Sequence, residues 1–208
     1  MKIRFQEINN IERKLLHYPS AKLLIVTKNR PQDLVMDLIK KGYNCFGENR
    51  VQEAYNKYLG ILNEHISLHL IGPLQSNKTK LALELFDTIQ TIDRHKLVNE
   101  IKKYSNNNIR TKEFYIQINI GQEPQKAGVF PEFAKDLYDF CINKNLLISG
   151  LMCIPPAVEN PSTYFRNMIN LRDNLNPDLK LSMGMSDDYD IALECQSNMI
   201  RVGSKLFQ

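Results

Sequence analysis

Lys28 closes an apolar, strand-forming run, LLIVTK, and its chemistry depends on where that run ends. An amine held at the mouth of a strand among polar neighbours can attack a carbonyl, whereas a rim lysine held by a salt bridge cannot. Glu48 is the one obvious carboxylate partner among the polar strand ends, and it could equally form a local ion pair with Arg50. Near the end of the chain, LSMGMS at 181–186 and RVGS at 201–204 each bring glycine close to a hydroxyl. Glycine lets main-chain N–H groups approach an anion, and the hydroxyl adds a donor. Either pair alone could be only a turn. An amine on one side of a mouth and an anion cradle on the other would suit an aldehyde that carries a phosphate.

Such a mouth needs a scaffold, and the sequence alternates short apolar runs with helical periodicity. The runs KLLIVT, YNCF, SLHLIG, TIQTI, EFYIQINI, LLISGLMCI, LKLSMG and MIRVGS read as eight strands. Seven helices separate them, and FQEINNIERKLL supplies one more in front. Pro31 suits a first helical turn and Gly42 a stop, while the helix after YNCF is expected to run through Gly60, from residue 48 to 64. Alternation of this kind gives crossover units and a parallel sheet. Eight units fit a closed (β/α)8 TIM barrel, with the extra N-terminal helix covering the ring where the last strand lacks a full successor. An open doubly wound sheet is the alternative, but no GxGxxG follows an early strand. No domain boundary is visible, so residues 1–208 are expected to form a single domain, with NNN at 106–108 as a loop.

Barrel chemistry gathers at the C-terminal strand ends. Here those ends carry Thr27 and Lys28, then Gly47 to Arg50, then Gly72 to Asn77 and Asn119. Met152, Ser182, Gly184, Ser186, Arg201, Gly203 and Ser204 complete the set. Asp187 and Asp188 read as the start of the last helix, and Met183 and Met185 as strand-end packing.

Composition narrows the function classes. The formal charge of +4 is mild and its basic residues are scattered without stacking aromatics, which argues against nucleic acid. The opening MKIRFQEINN has no leader-like apolar core, and no window approaches 18 uncharged apolar residues, so a cytoplasmic protein away from the membrane is expected. Cys45, Cys141, Cys153 and Cys195 lack metal-knuckle spacing and read as buried, reduced thiols. His65 and His69 have no carboxylate at ligand spacing, so no metal is expected. No helix shows an uninterrupted apolar seam, which favours a monomer.

Across nearly the whole chain, VTKNRP around Lys28, FGENRVQE at 46–53, HLIGPLQSNK at 69–78, GLMCIPP at 150–156, LSMGMSDDY at 181–189 and RVGSKLF at 201–207 follow one another in order. In these strings the sequence resembles the pyridoxal phosphate homeostasis family (YggS/PROSC type), related in fold to the N-terminal barrel of alanine racemase. The resemblance implies pyridoxal 5′-phosphate (PLP) as cofactor, held as an internal aldimine on Lys28. It places the phosphate around Ser182, Met183, Gly184, Ser186, Gly203 and Ser204, and puts Asn49 near the ring. Arg201 would face either the pyridine nitrogen or the phosphate. It also implies a role in intracellular vitamin B6 and amino-acid homeostasis, without established turnover, and transient contact with PLP-dependent enzymes. A weak PLP-dependent racemase or lyase is the alternative, although related racemases recruit an opposing base from a second domain for which 208 residues leave no room. Pro73 stands where the family usually carries another residue, and removes a donor at the third strand end.

Overall fold

The computed structural model describes residues 2–104, 109–157 and 160–208; the loop expected at 106–108 lies outside these. Eight strands hydrogen-bond in sequence order, all parallel, and the eighth pairs back with the first to close a barrel. They are β1 (Lys22–Val26), β2 (Cys45–Glu48), β3 (Ser67–Leu70), β4 (Thr88–Ile92), β5 (Glu113–Ile118), β6 (Ile148–Cys153), β7 (Lys180–Ser182) and β8 (Met199–Val202). Eight α-helices among the described residues alternate with them: α1 (Phe5–Leu15), α2 (Gln32–Lys40), α3 (Val51–Tyr58), α4 (Thr79–Leu85), α5 (His95–Lys102), α6 (Ala134–Asn143), α7 (Pro161–Leu175) and α8 (Tyr189–Glu194).

Alternation along each strand divides its side chains between two environments. Ile25, Phe46, Leu68, Leu181, Ile200 and Val202 join the main apolar core with the helices. Leu24, Val26 and Met199 form a separate cluster, with Cys45 and Ile71 packed against it. Each helix turns a narrow apolar stripe to the core, as α5 does with Leu97, Val98 and Ile101. Asn160 starts α7 by accepting the Ser162 N–H at 3.0 Å, with Pro161 in the first turn.

Two boundaries differ from the sequence reading. α3 ends at Tyr58 rather than continuing to residue 64, because Gly60 adopts φ +81°, a left-handed conformation that stops a helix. β2 occupies Cys45–Glu48 and not residues 43–46, since Asn44 O and Cys45 to Glu48 supply the ladder to β3.

α1 takes the place of the helix that would follow β8. It buries Ile8 and Ile11, and its Lys14 pairs with Asp190 of α8 at 2.5 Å. The chain ends meet beside it: Lys2 N donates to Gln208 O at 2.9 Å, Gln208 N to Lys2 O at 3.0 Å, and Arg4 N to Leu206 O at 2.8 Å.

Candidate functional site

Lys28 follows β1 in a tight turn. Arg30 N donates to Thr27 O at 3.0 Å, and Asn29 takes φ +57°, which asparagine tolerates better than most residues. The Lys28 side chain is exposed and shares the alternation parity of Leu24 and Val26. It is thus reachable from solvent.

The turn is clamped from the helix side. Lys57 of α3, 8 % exposed, donates to Thr27 O at 2.6 Å, Glu48 Oε1 at 2.8 Å and Glu53 Oε1 at 3.0 Å. Glu53 in turn accepts the Asn29 N–H at 2.5 Å. Thr27 Oγ1 donates to Glu48 Oε1 at 2.7 Å, and Tyr58 supplies the other hydrogen bond to that hydroxyl at 3.0 Å. Burial pushes the Glu48 carboxyl up, opposed by the bonds from Lys57 and Thr27. Its Oε2 is buried with no hydrogen-bond partner among the described residues. The partner of Glu48 is therefore Lys57, and the local pair with Arg50 does not form; Arg50 is exposed.

The turn after β8 lies against the same strand end. A Cβ on Gly203 would sit 3.0 Å from Val26 Cβ and 3.2 Å from Val26 O, so only glycine passes there without displacing β1. Beyond it, Ser204 Oγ donates to Ser186 Oγ at 3.0 Å, joining the turns that follow β7 and β8. Gly184 has φ +96°, and a Cβ there would lie 2.5 Å from Ala192 Cβ. Its first structural role is to let α8 pack on the strand. Asp188 begins α8 without a side-chain cap; its Oδ1 accepts the Met185 N–H within the turn.

Ser182 and Arg201 do not join the Ser186–Ser204 pair; they belong to a polar chain inside the barrel. Arg201, 3 % exposed, donates from Nη1 to Ser182 Oγ at 2.8 Å and from Nη2 to Cys153 O at 2.7 Å. Ser182 Oγ donates to Gln90 Oε1 at 2.7 Å, and Gln90 Nε2 contacts His69 Nδ1 at 3.0 Å. His69 Nε2 lies 2.9 Å from Ser67 Oγ. Since the amide N–H can only donate, His69 Nδ1 accepts and Nε2 carries the proton. Burial, then Lys180 and Lys22, pull the imidazole down to about 3, so it stays neutral.

Met183 is buried in the main core on the helix side, so it can offer a ligand only its main chain. Asn49 is half-buried; a Cβ on Gly72 would come 2.2 Å from Asn49 O, which makes that glycine the spacer between the ends of β2 and β3. Pro73 is exposed. Three of the cysteines are buried and Cys45 is half-buried, all as free thiols. Among the described residues, no three His, Cys, Asp or Glu side chains converge as metal ligands, and no helix is long and apolar enough to cross a membrane.

Sequence reasoning passed over Gln90, His69 and Lys57. Gln90 had a signal, a polar residue at the centre of the short strand TIQTI. Lys57 had none, because its role depends on reaching from α3 to the β1 end.

A cavity of about 540 Å³ opens at the opposite, N-terminal end of the strands. Volume would direct a ligand there, but the exposed amine, the glycine turn and the paired hydroxyls stand at the C-terminal end. That chemistry has more weight than volume in locating an aldehyde phosphate site.

A family model described as the N-terminal domain of alanine racemase matches residues 6–208. A pyridoxal phosphate homeostasis protein of Aquifex aeolicus is 37% identical over 196 residues, covering 90% of this chain and 86% of that protein. A protein of the same description from Haemophilus influenzae is 38% identical over 200 residues, with 90% and 84% covered. The structure of PipY from Synechococcus elongatus with PLP bound is 32% identical, covers 91% of this chain and 93% of its own, and has a TM-score of 0.78. Alanine racemase from Clostridium difficile, at 14% identity and a TM-score of 0.71, covers 89% of this chain and 51% of its own, and shares the fold.

Proposed function

This chain belongs to the pyridoxal phosphate homeostasis family, built on the alanine racemase N-terminal barrel, and from that premise we propose that it binds PLP through Lys28 and holds it in reserve without turning over amino acids. The observation that supports this most is the seam between β1 and β8, where the turn carrying Lys28 and the turn carrying Gly203 leave adjacent strand ends. When bound, the group supplies an electrophilic aldehyde and a pyridine ring able to withdraw electrons. Lys28 Nζ would be the amine that takes the aldehyde. Ser186, Ser204 and the main chain at Gly203 and Gly184 would hold the phosphate, and Asn49 would serve the ring side. The Lys57 clamp orients the Lys28 turn. Arg201 is a permanent cation with a hydroxyl and a carbonyl as partners. Near a ring nitrogen it disfavours the proton that carbanion chemistry requires, which suits storage over turnover.

In this reading the chain works as a cytoplasmic monomer and releases the cofactor to PLP-dependent enzymes through transient contact. Purified protein mixed with PLP is expected to show a new absorbance band that borohydride converts to a stable adduct on the peptide containing Lys28. Lys28→Ala is expected to lose both. No adduct on wild-type protein, or one placed elsewhere, overturns the binding claim. Exchange of amino-acid α-protons in deuterated water at the rate of free PLP is expected; clear acceleration would replace storage with enzymatic turnover.

A further inference from the structure

The cavity at the N-terminal end of the barrel is walled by the first residues of the strands, among them Lys22, Cys45, Ser67, Thr88, Glu113 and Lys180. In barrels this end mostly serves stability and the interior is filled by side-chain layers. Here the layer is made partly of small polar residues, and 540 Å³ remains open, within the ordinary range of small-molecule sites.

Its charges are not balanced. Glu113 is engaged by Lys180 at 2.8 Å. Asp87 is engaged by Arg110 at 3.0 Å and by the Leu68 N–H at 2.9 Å. Lys22 and Lys112 also line the cavity, and neither has an ion pair among the described residues. Tyr115 lines it as well; it is 1 % exposed, and its hydroxyl has no hydrogen-bond partner among the described residues. The ring is buried while the residue lines the open cavity, so the hydroxyl is free to donate to an acceptor there. Burial holds this phenol above its ordinary value, so it remains a donor. Cys45 Sγ lies 3.9 Å from His69 Nε2, but burial pushes the thiol up to about 12 and the imidazole down to about 3. That pair therefore favours the neutral thiol and the neutral imidazole.

We propose that this cavity is a second ligand site, separate from the Lys28 mouth, which takes a small oxyanion-bearing molecule whose carboxylate or phosphate oxygens accept from Tyr115 and are paired by Lys22 and Lys112. The probes are inorganic phosphate and succinate, each titrated at constant ionic strength and followed by calorimetry and amide chemical shifts. Saturable binding of at least one probe is expected, with shifts centred on Lys22, Ser67 and Lys112. Tyr115→Phe removes one oxygen and is expected to weaken binding about tenfold, the worth of one charge-assisted hydrogen bond. Lys22→Met with Lys112→Met is expected to weaken it further, while Lys28→Ala leaves it unchanged, which keeps this result independent of cofactor binding. Saturation by neither probe overturns the proposal. So does binding that survives both Tyr115→Phe and the double lysine variant, or that disappears in Lys28→Ala.

Discussion

The Ser182 hydroxyl donates to Gln90 Oε1 at 2.7 Å, and this bond is the middle link of a directed chain that runs from Arg201 to His69. Arg201 can only donate, so Ser182 must accept from it and pass its own proton to Gln90, whose N–H then meets His69. Gln90→Leu should leave the Ser182 hydroxyl and His69 Nδ1 without these partners and lower unfolding stability by about 2–4 kcal/mol, taking roughly 1–2 for each stranded group. Urea unfolding of the variant measures it, and a loss below about half a kcal/mol would show the network to be loosely held.

His69 makes stability depend on pH. Its folded value, about 3, lies below the ordinary 6.5, so the neutral form is favoured by folding. That contribution is complete above 6.5 and declines as pH falls toward 3, by about 1.4 kcal/mol per pH unit. Denaturant unfolding at a series of acidic pH values should show this slope, and His69→Gln should flatten it.

Lys57→Met should be more damaging than its position on a surface-facing helix suggests. It leaves the Glu48 carboxylate, 0 % exposed, without its cation and releases the carbonyl of Thr27. Breaking a buried pair on one side costs about 3–5 kcal/mol, whereas replacing both members by apolar residues is often nearly neutral. Chemical denaturation of Lys57→Met beside Glu48→Leu with Lys57→Met should show the double variant to be the more stable.

Two glycines with similar backbone angles should respond differently to alanine. Gly42, φ +92°, has open space within 4 Å of where a Cβ would stand, so Gly42→Ala carries backbone strain alone, about 1 kcal/mol. Gly184, φ +96°, adds a 2.5 Å encounter with Ala192 Cβ, which should bring Gly184→Ala to roughly 2–4 kcal/mol. Thermal unfolding of both compares them directly.

The barrel was legible because each strand run and each helix stripe states its own period, and eight repetitions leave few ways to close. Lys28, Gly203, Ser186 and Ser204 were legible as strand-end residues. The fate of Ser182 was not, since a serine at a strand end looks the same whether it meets an anion or a glutamine ninety-two residues away. Gly60 was read as tolerated inside a helix because composition does not reveal φ. The charge partner of Glu48 was missed for a related reason: Arg50 is close in sequence, while Lys57 is close in space.

The reciprocal bonds between Lys2 and Gln208, and the bridge of Ile3 with Phe207, make the polypeptide nearly a loop. A circularly permuted version, joined by a short linker at that junction and opened in the exposed turn around Asn145, would keep every strand neighbour in place. The order of synthesis would change, but the ring would not.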